Sequence, residues 1–386
     1  MKLFDVYSLF DLEPVRAKGS IVVDAKGREY LDFYGGHAVI SIGHSHPHYI
    51  ARITEQLNRL GFYSNSVLNP LQEALADKLG EVAELEGYEL FLCNSGAEAN
   101  ENALKMASFA RPGTNCVIAI AGAFHGRTSA AVNVTDNPRI QADINRGIDV
   151  LRFAPDDGAG MSERLAKGDV TAVLIEAVQG VGGLTRCPPP VLQQLETACR
   201  ETGTPLILDE VQSGYGRTGK FFAYQHAGIR PDLISIAKGM GNGFPIGGVL
   251  IRGARFAAQK GMLGTTFGGN HLACAAGLAV LEVLEEEQLI KKVEGKAERL
   301  EHILTKLPGL RRVKGLGLML GAEFDFAVGP LRKQLLHEQG LMTGSSSNPN
   351  ILRILPPLTV SDGEIDAFSD KIHQGLTQHL ATSVQL

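Results

Sequence analysis

The sequence predicts an α/β fold: a mainly parallel sheet flanked by helices, joined to a smaller α+β part built from both chain ends. Three observations carry that expectation. Short runs of Val, Ile and Leu alternate with amphipathic stretches through the middle of the chain, the βαβα order of an open parallel sheet. Several of these runs are apolar without alternation, as strands buried on both faces are. After about residue 288 the pattern changes to helical stretches around one strand-like run. With 386 residues, the chain suffices for two domains or one large unit with an appendage, at roughly 100–200 residues per domain.

Taken in order, the elements begin with SIVVDAKGREYLDF, two alternating runs around turn residues 24–27. This hairpin is expected to pair with the tail rather than the main sheet. Strands are expected at 90–93, 117–120, 150–153, 171–175, 206–208, 233–236 and 249–251, with helices at 70–84, 98–110, 190–201 and 271–287. The tail is expected to hold helices at 290–306 and 330–339, a strand at 317–324 and a last helix after Ser361. The implied division is an N-terminal segment 1–48 packing with the small domain, a large domain 49–288, and a small C-terminal domain 289–386.

Composition excludes several function classes. Hydrophobic residues make up 44% and charged residues 20%, enough for a sizeable core and unlike a disordered chain. Lys plus Arg number 37 against 42 for Asp plus Glu, a net charge of −5, which argues against a nucleic-acid or anionic-membrane partner. No apolar run approaches the roughly 18 residues of a membrane span. The opening MKLFDVYSLFDLEP carries Asp5, Asp11 and Glu13 where a signal peptide needs an unbroken apolar stretch. Cys93, Cys116, Cys187, Cys199 and Cys274 form no C-x-x-C pair, so a reducing, cytoplasmic setting is expected rather than a disulfide framework or structural zinc.

Three loops carry chemistry. Asn94-Ser95-Gly96-Ala97-Glu98 follows a strand and opens a helix. Ser95 can cap that helix, and its free N–H groups suit a phosphate, although many βα turns share this composition. Asp209 stands at the end of the apolar run 205–208, on the edge where open α/β sheets bind ligands. It reads either as a turn cap or as the partner of a cation such as a protonated pyridine nitrogen. Lys238 ends another apolar run and is followed by Gly-Met-Gly-Asn-Gly. Either it reaches the rim or pairs with an acid, or it is a desolvated amine suited to imine formation. A lysine and an aspartate at two strand ends together meet the needs of pyridoxal phosphate.

Two other patterns are set aside. Gly214 to Gly219 matches G-x-G-x-x-G, and with Lys220 nearly a phosphate-binding P-loop. Phe221 replaces the magnesium-binding Ser or Thr, Asp209 to Ser213 separates the motif from its strand, and no helix opens at Gly219. His44, His46 and His48 lack a Cys or acidic neighbour. They read as a turn stabilised by its own side chains rather than a metal site.

Read together, the motifs GHSHP (43–47), NSGAEANENALKMA (94–107), AFHGRT (123–128), LILDEVQSGYGRTGKF (206–221), ISIAKGMGNGFPIGG (234–248), GTTFGGN (264–270) and ILRILPPL (351–358) resemble the class-III, or ω-amino, aminotransferases of pyridoxal-phosphate fold type I. The nearest likeness is to the acetylornithine/succinylornithine group, over roughly residues 35–357. The resemblance implies that Lys238 carries the cofactor and Asp209 holds its ring nitrogen protonated. Val211 and Phe124 would cover the two ring faces, Gln212 would bind the ring hydroxyl, and Ser95, Gly96 and Ala97 would receive the phosphate. Thr266 would reach the phosphate of the neighbouring subunit, which implies a homodimer with shared sites. Thr265 would lie at the substrate mouth, with Glu176 also on the substrate side. Arg127 and Arg353 would bind the carboxylates of an N-acylornithine and of 2-oxoglutarate or glutamate, as bidentate guanidinium forks do. The implied activity is transfer of a δ-amino group from acetyl- or succinylornithine to 2-oxoglutarate in arginine metabolism. Ornithine, 4-aminobutyrate and other ω-amines are alternative donors, and a racemase or mutase could use the same scaffold.

One departure stands out. The family's E-P-x-Q-G-E run reads Glu176-Ala-Val-Gln179-Gly180-Val181 here. The glutamate expected to mask Arg353 is a valine, which tilts the expected donor toward an acyl group that is itself acidic.

Overall fold

Proline opens the helices Pro47–Arg59, Pro70–Val82 and Pro189–Thr202, where its missing N–H costs no helical hydrogen bond. Asn and Ser cap others: Asn69 accepts from Leu71 N, Ser95 from Glu98 N and Asn270 from Ala273 N. The computed structural model describes residues 1–383; the expected domain end at 386 lies outside them. The N-terminal part supplies β1 (Pro14–Lys18), β2 (Ile21–Asp24) and β3 (Glu29–Asp32). The middle supplies β4 (Tyr88–Cys93), β5 (Cys116–Ile120), β6 (Asp149–Phe153), β7 (Val170–Ile175), β8 (Leu206–Asp209), β9 (Leu233–Ile236) and β10 (Gly247–Arg252). The C-terminal part adds β11 (Leu310–Leu316), β12 (Met319–Phe324), β13 (Leu341–Met342), β14 (Gly344–Ser345) and β15 (Ile351–Ile354).

The main sheet has the order β4-β10-β9-β8-β7-β5-β6. Pairs β5–β6, β5–β7, β7–β8 and β8–β9 are parallel, whereas β10 is antiparallel to both β4 and β9. Because β10 alone is reversed, the carboxyl ends of β4, β5, β7, β8 and β9 open on one edge. All six residues of β7 are buried, as expected for a central strand covered on both faces. The helix His271–Glu286 is buried along most of its length, so truncating one of its leucines to alanine should cost about 2–5 kcal/mol.

Two smaller sheets complete the fold. β1-β2-β3 extends through a parallel pairing of β3 with β13, so the N-terminal hairpin adjoins the C-terminal part. The other sheet has the order β11-β12-β15-β14. The expected single strand 317–324 is a hairpin, β11 pairing antiparallel with β12. Arg311, Arg312 and Lys314 interrupt the apolar pattern of β11, an edge strand that is half-buried apart from exposed Arg311 and Arg312.

The histidine triplet also differs from expectation. His44 pairs with Asp32 at 2.8 Å, His46 with Glu287 at 2.9 Å and His48 with Glu282 at 2.5 Å. Three carboxylates from distant elements, rather than the turn itself, hold these rings. Pro47 opens a helix there, one with no fully buried residue.

Candidate active site

The strand ends converge on a cavity of about 400 Å³. Ser95, Gly96 and Ala97 reach it from the turn after β4, Phe124 and Arg127 from the loop after β5, and Glu176 from the end of β7. Asp209, Val211 and Gln212 line it from β8 and its following turn, and Lys238 from just beyond β9. Ten of the expected site residues therefore meet in one cavity, at the edge where open α/β sheets bind ligands.

Asp209 is held by three donors. Its Oδ2 accepts from Asn100 Nδ2 and from His125 Nδ1, each at 2.7 Å, and its Oδ1 accepts from Val211 N at 3.0 Å. The aspartate and the histidine are both buried. Donation to a carboxylate requires the hydrogen on Nδ1, and His125 Nε2 is buried without a partner. Asn100 and His125 lie inside the motifs at 94–107 and 123–128, but no local pattern marks either as a partner of Asp209. Only the fold brings them to Asp209.

Lys238 is half-buried and lies at φ +47°, a left-handed conformation that strains a side-chain-bearing residue and is concentrated at functional sites. Desolvation pulls its pKa below the ordinary lysine value; Asp209 and Glu176 act against that shift, and Arg353 adds to it. Glu176 is buried, and its oxygens accept from Phe124 N at 3.1 Å and Gly180 N at 2.7 Å. Burial raises its pKa, with the nearby Asp209 charge acting the same way and His125 opposing.

The expected phosphate cradle has the required shape. Gly96 stands where a Cβ would lie 2.6 Å from Val211 Cγ1, so only glycine lets the helix N-terminus approach this close. Gln212 Nε2 donates to His37 O at 3.1 Å, while its Oε1 is buried without a partner. A half-buried lysine, a triply bonded aspartate, a glycine-opened helix and unsatisfied polar atoms together fit pyridoxal phosphate. Lys238 would carry it, Asp209 would meet its nitrogen, and Gly96 and Ala97 would receive its phosphate.

Three expected residues stand outside the cavity lining. Thr265 Oγ1 accepts from Asn94 Nδ2 and Gly268 N, each at 3.1 Å. Thr266 is exposed beside it. Arg353 lies behind Gly180, whose carbonyl accepts from its Nη1 at 3.1 Å. It is 3% exposed, its Nε has no partner, and burial lowers its pKa. Among the described residues no carboxylate pairs with it. Val181 does line the cavity, and its carbonyl accepts from Ser347 N at 2.9 Å.

A strand-end lysine, a buried aspartate and a helix N-terminus facing one cavity would suit the cofactor of a fold-type-I transaminase. The class-III aminotransferase family profile matches residues 6–376. The chain belongs to that family and is a pyridoxal-phosphate-dependent aminotransferase. It is 39% identical to the acetylornithine aminotransferase of Bacillus subtilis, over 99% of both chains. To that of Methanocaldococcus jannaschii it is 36% identical, over 97% of this chain and 95% of the relative. A crystal structure of ornithine aminotransferase from Toxoplasma gondii superposes with a TM-score of 0.90 at 28% identity, covering 98% of this chain and 93% of that one.

Proposed function

We propose that this aminotransferase moves the δ-amino group of an N-acylornithine to 2-oxoglutarate, in arginine biosynthesis. The reading is carried by Lys238, a lysine of lowered basicity in a cavity with the triply bonded Asp209. Full-length similarity to acetylornithine aminotransferases supports the donor. Bound pyridoxal phosphate supplies an aldehyde carbon for amine exchange and a ring that stabilises negative charge on the reacting carbon. Lys238 Nζ, neutral once free, takes the proton from the donor's δ-carbon. Asp209 would keep a hydrogen on the ring nitrogen, and His125 and Asn100, both bonded to its Oδ2, hold the carboxylate in place for that role. Phe124 and Val211 would exclude water from the ring faces, and Gln212, whose Oε1 is unpartnered, would hold the ring hydroxyl. Arg127, exposed at the mouth, takes the donor's α-carboxylate, with Thr265 and Glu176 shaping that side. Arg353 takes a carboxylate of 2-oxoglutarate. The oxidised donor product leaves before 2-oxoglutarate binds, so initial-rate kinetics should be ping-pong.

The working unit we propose is a cytoplasmic homodimer in which Thr266 reaches the partner's phosphate site. Exposed Ile50, Leu57, Leu68 and Phe267, at 49%, 61%, 90% and 61%, supply apolar surface that such a contact could cover. Residues 49–288 would form the cofactor-binding domain, with 1–48 packing on a small domain from 289 onward. Likeness to ornithine aminotransferase favours free ornithine as the second reading. A panel of acetyl-, succinyl- and free ornithine with 2-oxoglutarate decides between them. Turnover of free ornithine above both acylated donors would overturn the proposal.

A further inference from the structure

Arg332 and Arg353 both lie against Tyr34, with guanidinium carbons 5.6 and 5.8 Å from the ring centre. Gly344 makes room for that ring, since a Cβ there would fall 2.6 Å from Tyr34 Cε2. Arg353 belongs to the site already described. Arg332, on the helix Gly329–His337, does not. Its Nε donates to Thr343 O at 2.7 Å, and its Nη1 reaches Ser345 Oγ at 3.5 Å. Its guanidinium carbon also lies 5.0 Å from the ring centre of Phe10. No carboxylate pairs with it among the described residues, and burial lowers its pKa.

Beside Arg332 opens a recess of about 180 Å³, walled by Phe10, Leu12, Tyr34, Leu336 and Met342. Thr343 also lines it, and its hydroxyl is buried without a partner. At roughly 30 Å³ for each water-sized group, the space suits a ligand of about six non-hydrogen atoms. A guanidinium without a counter-ion favours a carboxylate, which it binds in a two-pronged fork. The apolar walls favour an alkyl chain over a phosphate.

We propose that this recess is a binding site for a short aliphatic monocarboxylate, its carboxylate paired with Arg332 and its chain against the apolar wall. The assignment rests on the surroundings of Arg332 and is independent of which amine the enzyme uses as donor.

Calorimetric titration of the holoenzyme with pentanoate tests the site, with pentan-1-ol and pentylamine as controls. Pentanoate should bind saturably and both controls at least tenfold more weakly. Arg332→Met should weaken pentanoate binding at least tenfold, and Arg332→Lys, which keeps a charge but loses the fork, by less. Arg353→Met should leave it within about threefold, which separates this site from the active-site arginine. Folding of each variant is checked by its thermal transition; if Arg332→Met does not fold, Arg332→Lys carries the test and must still bind more weakly than wild type. Equal affinity for pentan-1-ol would overturn the proposal. So would absence of saturable binding, or binding kept within about threefold in a folded Arg332→Met, whatever Arg353→Met does.

Discussion

His125 Nδ1 donates to Asp209 Oδ2 over 2.7 Å, and neither side chain is open to solvent. Asn100 donates to the same oxygen, and Val211 N to the other. Three donors from three elements fix both the rotamer and the charge-bearing face of one carboxylate. That is the pre-organisation a site needs where charge develops during reaction.

The first prediction follows directly. Asp209→Ala should still take up cofactor, because the lysine and phosphate contacts remain, but turn over at least about a hundredfold more slowly. Each ~1.4 kcal/mol of lost stabilisation is tenfold in rate. His125→Phe leaves two of the three donors and should cost less, roughly tenfold. Single-turnover rates beside the cofactor's absorption spectrum check both. Near-native turnover in Asp209→Ala would reduce Asp209 to a turn cap.

Lys238 gives a chemical test. Borohydride reduction of the holoenzyme should attach the cofactor to Lys238, and peptide mass spectrometry should find no other modified lysine. The lowered pKa also has a sign for stability. Between the folded value and the unfolded one the unfolded chain binds the extra proton, so apoprotein stability rises with pH across that window. Lys238→Met should remove this contribution and raise the apoprotein melting temperature. A lower melting temperature for this variant would contradict the argument.

Gly96 and Val211 should behave as a coupled pair. Gly96→Ala drives a methyl toward Val211 Cγ1, and overpacking of this kind costs about 1–3 kcal/mol. Cofactor affinity should fall with it, and Val211→Ala in the same chain should recover part of the loss. Additive effects in equilibrium dialysis, with no recovery in the double variant, would mean the two sites are independent.

Val181 and Arg353 test the departure noted in the sequence. Val181→Glu puts a carboxylate near a guanidinium that none serves among the described residues. KM for 2-oxoglutarate should rise, and a succinylated donor should lose more than an acetylated one. The gap should be roughly tenfold to hundredfold, the ~1–3 kcal/mol of leaving a buried polar group mismatched. Identical losses on both donors would return Val181 to neutral packing.

Much of the fold was readable because its strands are short apolar blocks between turn residues. β9 was read at its observed ends, and β5, β6, β7 and β8 within one residue. β11 was not, because an edge strand with three cations carries no apolar block. The helix Pro47–Arg59 was hidden by the histidine-proline turn that opens it. Of the site, Asp209 and Lys238 stood out as charges where apolar runs end.

What the sequence determined by itself is the family, the order of its motifs along the chain, and a lysine and an aspartate standing where apolar runs end. These reside in local patterns and contiguous motifs. Only the tertiary structure decided that His125 and Asn100 serve Asp209, that Gly96 is held to glycine by Val211, and that Tyr34 lies against both Arg332 and Arg353. The physical reason is range: these contacts join residues from about 80 to more than 300 positions apart. Their geometry depends on which strand lies beside which, something that spacing along one chain does not encode.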